Sequence, residues 1–180
     1  MKNARYYWLE DLVKRNHFTL GAEVGCKDGV TTSYLLKTCS ELHLFAVDLW
    51  EFRPEILSDS AFEILKNYNF EKIKNDFIKS ITPFRDRVTM LQGISWEAAK
   101  WVDDNSLDFV FIDADHAYES VVRDIRAWTP KLKPQGILSG HDLLYIGVWR
   151  AVNDLLNDWK DTGVNQVWCC FKENLYNYNK

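Results

Sequence analysis

Gly21-Ala22-Glu23-Val24-Gly25-Cys26-Lys27-Asp28-Gly29-Val30-Thr31-Thr32 is the stretch whose reading decides the fold. Leading into it, Phe18, Leu20, Ala22 and Val24 form an apolar run that reads as a buried strand ending at Gly25. Gly29 opens what reads as a helix, with Thr32, Leu35 and Leu36 on one face. Strand, glycine turn and helix together make the first unit of a nucleotide-binding sheet. Glycines in such a turn let the backbone approach a ligand with no Cβ in the way. The helix start offers unpaired N–H groups and a partial positive charge. The spacing is neither the G-x-G-x-x-G dinucleotide fingerprint nor a P-loop, which needs Gly-Lys-Ser/Thr. The turn alone therefore says only that a nucleotide-like ligand fits.

Outward from the turn, apolar runs alternate with helical spacing. Residues 4–16 read as a helix, with Tyr7, Leu9, Leu12 and Val13 on one face. Leu42 to Asp48 is a second strand, Arg87 to Gly93 a third, Leu107 to Asp113 a fourth and Gly136 to Asp142 a fifth. Helices are expected near 60–68 and 70–82, at 95–102, from Ala117 to Trp128, and at 147–159. Pro130 and Pro134 mark the end of the Ala117 helix, Val164 to Lys172 reads as a sixth strand, and the last residues read as an edge strand or a frayed end. This alternation predicts an α/β fold: a Rossmann-like, doubly wound, mainly parallel sheet with helices on both faces. One domain is expected over 1–180, with 49–86 as a lid or acceptor-pocket insertion, being longer than a crossover needs.

In such sheets ligands bind outside the carboxyl ends of the strands. Polar groups collect there in this chain: Glu23, Asp48, Gln92, Asp113, and His141 with Asp142. Asp48, about twenty residues past the glycines, can accept hydrogen bonds from both ribose hydroxyls. The same residue taken alone also reads as a helix cap.

Composition narrows the partners. The chain has 180 residues, 47% of them apolar, and a net charge of −4 without a Lys/Arg cluster, which argues against nucleic acid. Most of the eight tryptophans read as core or half-buried helix residues. The four cysteines include no C-x-x-C pair, the amphipathic N-terminus lacks a signal peptide's apolar core, and no apolar run is long enough to span a bilayer. A reduced, cytoplasmic protein with no membrane contact is expected.

Glu23-Val24-Gly25-Cys26-Lys27-Asp28-Gly29, then Ala46-Val47-Asp48, then Phe109-Val110-Phe111-Ile112-Asp113-Ala114-Asp115-His116 resemble the successive motifs of class I S-adenosylmethionine-dependent methyltransferases. The likeness covers about residues 18–145. It implies that Glu23, Gly25 and Gly29 frame the methionine end of S-adenosyl-L-methionine, that Thr31 touches its carboxylate, and that Asp48 holds the ribose. By the same likeness Gly93, Ile94 and Ser95 flank the adenine, and Asp113 faces the methionine moiety or a metal.

A finer resemblance, to metal-dependent O-methyltransferases such as the catechol and caffeoyl-CoA enzymes, implies a metal pair at Asp113 and Asp142 holding Mg²⁺ or another divalent cation. His116 matches the position of those enzymes' catalytic lysine and would take the acceptor's proton. Where they carry an asparagine after the second acid, this chain has Leu143, and His141 is the candidate to supply the missing ligand, which makes Mn²⁺ plausible. His141 also reads as a polar loop residue, His116 as a helix-start residue at the crevice edge, and Asp115 as a helix cap.

The expected reaction is methyl transfer to a hydroxyl of a small molecule: a sugar, a phenol or another metabolite. Residues 49–86 with Trp50, Trp149 and Tyr145 are the expected pocket walls, and an aromatic-rich surface is compatible with a homodimer. A metal-free methyltransferase, other chemistry on the same fold, and a cofactor-binding interaction module stay open.

Overall fold

The structure, a computed structural model, describes residues 4–57 and 59–172, the side chain of residue 60 excepted. The element order is α1 (Arg5–Asn16), β1 (Leu20–Val24), α2 (Val30–Thr38), β2 (His43–Asp48), α3 (Asp59–Leu65), α4 (Phe70–Ile81), β3 (Val88–Gln92), α5 (Ser95–Ala98), β4 (Leu107–Ile112), α6 (Tyr118–Trp128), β5 (Leu132–Gly140), α7 (Ile146–Leu155), β6 (Lys160–Asp161) and β7 (Trp168–Phe171). Among the described residues the strands form one seven-stranded sheet in the order β3-β2-β1-β4-β5-β7-β6. The strands from β3 to β5 pair in parallel, and β7 runs antiparallel to both β5 and β6. This is the doubly wound α/β fold that the alternation predicts, with its order reversing between β1 and β4.

Every residue of β4 is buried, as a central parallel strand covered on both faces must be. On one face Ile125 and Trp128 of α6 and Ala151 and Val152 of α7 pack against Val110 and Leu138. On the other, Leu9 and Val13 of α1 and Leu35 and Leu36 of α2 pack against Phe109 and Phe111. A smaller cluster joins Phe77 and Ile81 of α4 to Ala46, Cys26 and Trp50.

The register decides where the polar strand ends go. Val24 is opposite Val47 on one side and Ile112 on the other, and Ile112 is opposite Gly140. The next residues, Gly25, Asp48, Asp113 and His141, therefore form one row along the carboxyl edge. Backbone bonds from Gly25 N to Val47 O, Asp113 N to Val24 O and His141 N to Ile112 O extend the ladder one step and fix that row.

Four boundaries differ from the sequence-based expectation. β5 begins at Leu132, so Pro134 lies inside a strand and not past a helix. The register shifts between Leu107 and Phe109, and this irregularity spares Pro134 a ladder N–H it lacks. α7 stops at Leu155, because Leu156 turns extended, and residues 160–161 form a short strand beyond it. The sixth predicted strand shrinks to Trp168–Phe171, since Asn165 and Gln166 take left-handed turn conformations. The helix at 95–102 is one α-turn followed by 3₁₀ geometry over Ala99–Trp101. The expected terminal edge strand lies outside the described residues. No helix among the described residues is long and apolar enough to cross a membrane.

Candidate active site

A cavity of about 430 Å³ opens along the carboxyl edge, within the range usual for small-molecule sites. Gly25, Asp48, Gly93, Ile94, Ser95 and Asp113 line it, and His116, His141 and Asp142 close its other end. Residues of the 49–86 segment, among them Leu57, Ile64, Tyr68 and Phe70, add an apolar wall. Glu23, Gly29 and Thr31 lie behind the cavity and do not line it.

The glycine turn is built by close backbone packing. Gly25 has φ +97°, and a Cβ there would sit 2.1 Å from the Asp113 carbonyl oxygen. Gly29 has φ +85°, and its Cβ would meet Ser80 Oγ of α4 at 2.3 Å. Both positions are thus closed to other residues. At Gly93, by contrast, a Cβ would have nothing within 4 Å, so that backbone stands open to the cavity.

Asp48 is held from behind. Its Oδ2 accepts from Lys27 N at 2.8 Å and its Oδ1 from Trp50 N at 3.0 Å. Burial pushes its carboxyl up from the usual range, against the pull of those backbone donors. Each oxygen keeps a lone pair for a further donor. The Trp50 ring is core, tilted at 45° to Phe77 with ring centroids 4.5 Å apart, and its Nε1 donates to Lys27 O. Cys26 is buried and burial lifts its thiol well above the ordinary value, so it packs as a small apolar group.

Glu23 is buried beneath the turn, where its carboxylate accepts from Thr32 Oγ1. Thr31 is buried too, and its Oγ1 has no hydrogen-bond partner among the described residues. Burial pushes Glu23 up to about 8 from 4.5, a shift the Thr32 bond only partly opposes. The stability linked to this proton is fully present below pH 4.5 and is lost as pH rises to about 8. Glu23→Gln keeps an acceptor for Thr32 and never ionises. Denaturant unfolding at several pH values should show the wild type losing stability relative to this variant by a few kcal/mol over that window, at about 1.4 kcal/mol per pH unit. A pH-independent difference would contradict the burial of a protonated Glu23.

The other end of the cavity is a cluster of paired charges. Asp142 sits at φ +57°, just past β5, and its Oδ2 lies 2.7 Å from His116 Nε2. His141 Nδ1 lies 3.1 Å from Asp142 Oδ1 and 3.4 Å from Asp113 Oδ1. Asp113 Oδ2 lies 2.9 Å from Arg5 Nε of α1. Asn165 Oδ1 accepts from Arg5 N at 3.1 Å and stands 3.3 Å from His141 Nε2. Because that oxygen already faces a backbone donor, His141 Nε2 must be the protonated nitrogen toward it. Nδ1 is left facing two carboxylates, which demands either a second proton or a cation.

Burial works against charge on His141, but the two carboxylates outweigh it and lift the ring to about 10. Burial also opposes charge on Asp142, yet His116 and His141 hold it well below the carboxylate range. The bond to Asp142 raises His116, against a smaller desolvation effect. Asp113, His141 and Asp142 each offer one donor atom, all within 4.8 Å of one another. Two carboxylate oxygens and an imidazole nitrogen suit a divalent cation such as Mg²⁺ or Mn²⁺. Arg5, His116 and Asn165 supply the outer bonds that orient such ligands.

The structure thus brings Gly25, Asp48, Gly93–Ser95, Asp113, His116, His141 and Asp142 to one cavity. Asp115 ties the turn before α6: Oδ1 accepts from His116 N at 2.8 Å and Oδ2 from Ser120 Oγ at 2.7 Å. The cap position itself is Ala117. Arg5 and Asn165 were not singled out by sequence. One is the first residue of an amphipathic helix and the other a turn residue 160 positions away, and no local pattern marks either.

Residues 22–143 match the family model described as methyltransferase domain. The chain belongs to that family. It is a methyltransferase domain. The methyltransferase is also 34% identical over 65 residues to the protein y4gI of Sinorhizobium fredii (strain NBRC 101917 / NGR234), a stretch that covers 34% of this chain and 7% of that relative. Among solved structures, the O-methyltransferase NovP superposes with TM-score 0.69 at 15% identity, covering 92% of this chain and 77% of that one. An O-methyltransferase from Bacillus cereus, solved in complex with SAH, gives 0.66 at 14%, covering 92% and 78%. Spermidine synthase from Thermotoga maritima gives 0.56 at 14%, covering 87% and 54%. At such identities the likeness shows the fold that the methyltransferase shares with them, and the last example shows that this fold is not reserved for methyl transfer.

Proposed function

We propose that this methyltransferase moves the methyl group of S-adenosylmethionine to a hydroxyl oxygen of a small molecule, assisted by a divalent cation. The observation that carries the proposal is the placement of Asp48 and the Asp113–His116–His141–Asp142 cluster at opposite ends of one cavity. Asp48 accepts from the ribose hydroxyls with its remaining lone pairs, and Gly93, Ile94 and Ser95 flank the adenine. Gly25 and Asp113 border the methionine end, while Glu23, Gly29 and Thr31 shape the turn from behind. The cofactor, when bound, supplies a methyl group already activated on a sulfonium. A cation on Asp113, His141 and Asp142 would supply the Lewis acidity that makes an acceptor hydroxyl easier to deprotonate.

His116 takes the acceptor proton. Asp142 holds Nε2 and so orients the ring, leaving Nδ1 for the acceptor. The chain's own residues contribute chiefly by placing oxygen, base and methyl donor in one enclosure; such positioning lowers a barrier by up to about 7–11 kcal/mol in the best cases. A reduced, cytoplasmic setting is part of the proposal, supported by four free cysteines.

Removing divalent ions with a chelator should lower turnover at least about tenfold and leave S-adenosylhomocysteine affinity within about twofold, with Mn²⁺ restoring the rate. Calorimetric titration of Mn²⁺ should register one site that Asp113→Asn abolishes. Turnover indifferent to chelator would favour the metal-free alternative, in which Arg5, His116 and a doubly protonated His141 compensate the two carboxylates.

A further inference from the structure

We propose that Arg5, the first residue of α1, holds the α-carboxylate at the methionine end of the cofactor, and so selects an adenosyl cofactor that carries this carboxylate over one that lacks it. The assignment rests on the reading of the first cavity as the S-adenosylmethionine site. It goes further by naming a specificity-determining cation that lies outside residues 22–143, the part of the chain that matches the family model.

The packing of α1 puts Arg5 there. Leu9 and Val13 are buried against the Phe109 and Phe111 face of the sheet, and Arg5 continues their stripe one turn earlier. Helical side chains lean toward the N-terminus of their helix, so the first member of the stripe reaches beyond the core and past the end of β4. Its Nε stands 2.9 Å from Asp113 Oδ2, and the residue lines the cavity beside Gly25 and Asp113. The backbone is pinned as well, since Arg5 N donates to Asn165 Oδ1 at 3.1 Å. From this position its charge is felt by Glu23 beneath the glycine turn, where it opposes the upward push of burial.

Asp113 does not use up the guanidinium. An arginine and a carboxylate commonly meet through two parallel hydrogen bonds. Here Nε comes close without hydrogen-bond alignment, and it is a buried donor with no hydrogen-bond partner among the described residues. The Arg5 side chain makes no hydrogen bond among the described residues, so its Nη fork stays open. The side chain is 33% exposed, which leaves that fork accessible from the cavity.

The rest of the lining shows why a carboxylate needs this partner. Asp48, Asp113 and Asp142 face the same space and repel an anion. The other basic side chains of the lining are engaged elsewhere. Lys27 Nζ lies 5.1 Å over the Tyr68 ring, His116 pairs with Asp142, and His141 faces Asp113 and Asp142. Thr31, the residue expected from sequence at this carboxylate, is buried behind the cavity. Arg5 and Asp113 together set one charge of each sign side by side, which complements the zwitterion of an α-amino acid.

The test is calorimetric titration, at one fixed Mg²⁺ concentration, of S-adenosylhomocysteine against decarboxylated S-adenosylhomocysteine, which keeps the amine and lacks only the carboxylate. The wild type should bind S-adenosylhomocysteine at least about tenfold tighter than the decarboxylated compound. In Arg5→Gln that preference should fall below about threefold, through loss of S-adenosylhomocysteine affinity, while the decarboxylated compound binds within about twofold of its wild-type affinity. A purely structural role for Arg5 would weaken both ligands alike and leave the preference where it was. A wild-type preference under about tenfold, a preference that survives Arg5→Gln, or a variant that loses both ligands alike would overturn the proposal and leave the cofactor site standing. Failure of S-adenosylhomocysteine to bind the wild type at all would instead remove the function on which the proposal rests, and the proposal with it.

Discussion

His116→Ala should lower methyl transfer by on the order of 10²–10⁴-fold, the usual worth of a positioned acid–base group. The same variant should bind S-adenosylhomocysteine within about twofold of the wild type. The two effects separate because His116 pairs with Asp142, just past the end of β5, while Asp48 ends β2, three strands away across the sheet. The His116 ring is partly exposed, and among the described residues it pairs with Asp142 and contacts the Tyr145 ring. Removing it leaves Asp142 still paired with His141 at 3.1 Å, so the cluster keeps a cation and the fold should hold. His116→Gln is the companion variant, since it retains a donor for Asp142 and cannot take a proton near neutral pH. It should match alanine in rate and the wild type in thermal midpoint. Turnover within tenfold of wild type in both variants would place the base elsewhere.

Asp48→Ala should weaken S-adenosylhomocysteine binding by about 100-fold or more. Two charge-assisted bonds to ribose hydroxyls, at about 1.5–3 kcal/mol each, account for a loss of that size. Part of the effect will be structural, because Asp48 also receives the backbone N–H groups of Lys27 and Trp50. Asp48→Asn separates the contributions. Its amide oxygen can keep one of those backbone bonds, so its thermal midpoint should stay nearer the wild type than alanine's, while its affinity should still fall at least about tenfold. Undiminished affinity in both variants, read by calorimetry, would remove Asp48 from the cofactor site.

Much of the fold was legible because the parallel strands announce themselves. Leu44–Val47 and Val110–Ile112 are apolar without alternation, as strands covered on both faces must be, and each stops at an acid. Where local chemistry and tertiary packing disagreed, the reading slipped. Pro134 looks like a helix stop but is absorbed by an irregularity in β5, and Asn165 and Gln166 interrupt an apparent strand through left-handed turns.

The site divides the same way. Residues at strand ends could be listed from sequence, since parallel register carries them to one edge. What could not be read was what faces that edge from elsewhere. Arg5 reaches Asp113 from α1, Asn165 reaches His141 from a distant turn, and Tyr145 meets His116 where Gly147 lets α7 pack close. The glycine turn was expected to make room for a ligand. At Gly25 and Gly29 the room is taken by the Asp113 carbonyl and by α4.

A crystal structure of the protein grown with S-adenosylhomocysteine and Mn²⁺ tests the central claim most directly. The account predicts ribose hydroxyls within hydrogen-bond distance of Asp48, the cofactor sulfur directed to the His116 end of the cavity, and an anomalous peak shared by Asp113, His141 and Asp142. Cofactor density outside that cavity, or seated in it with the ribose away from Asp48 and the sulfur remote from His116, would contradict it.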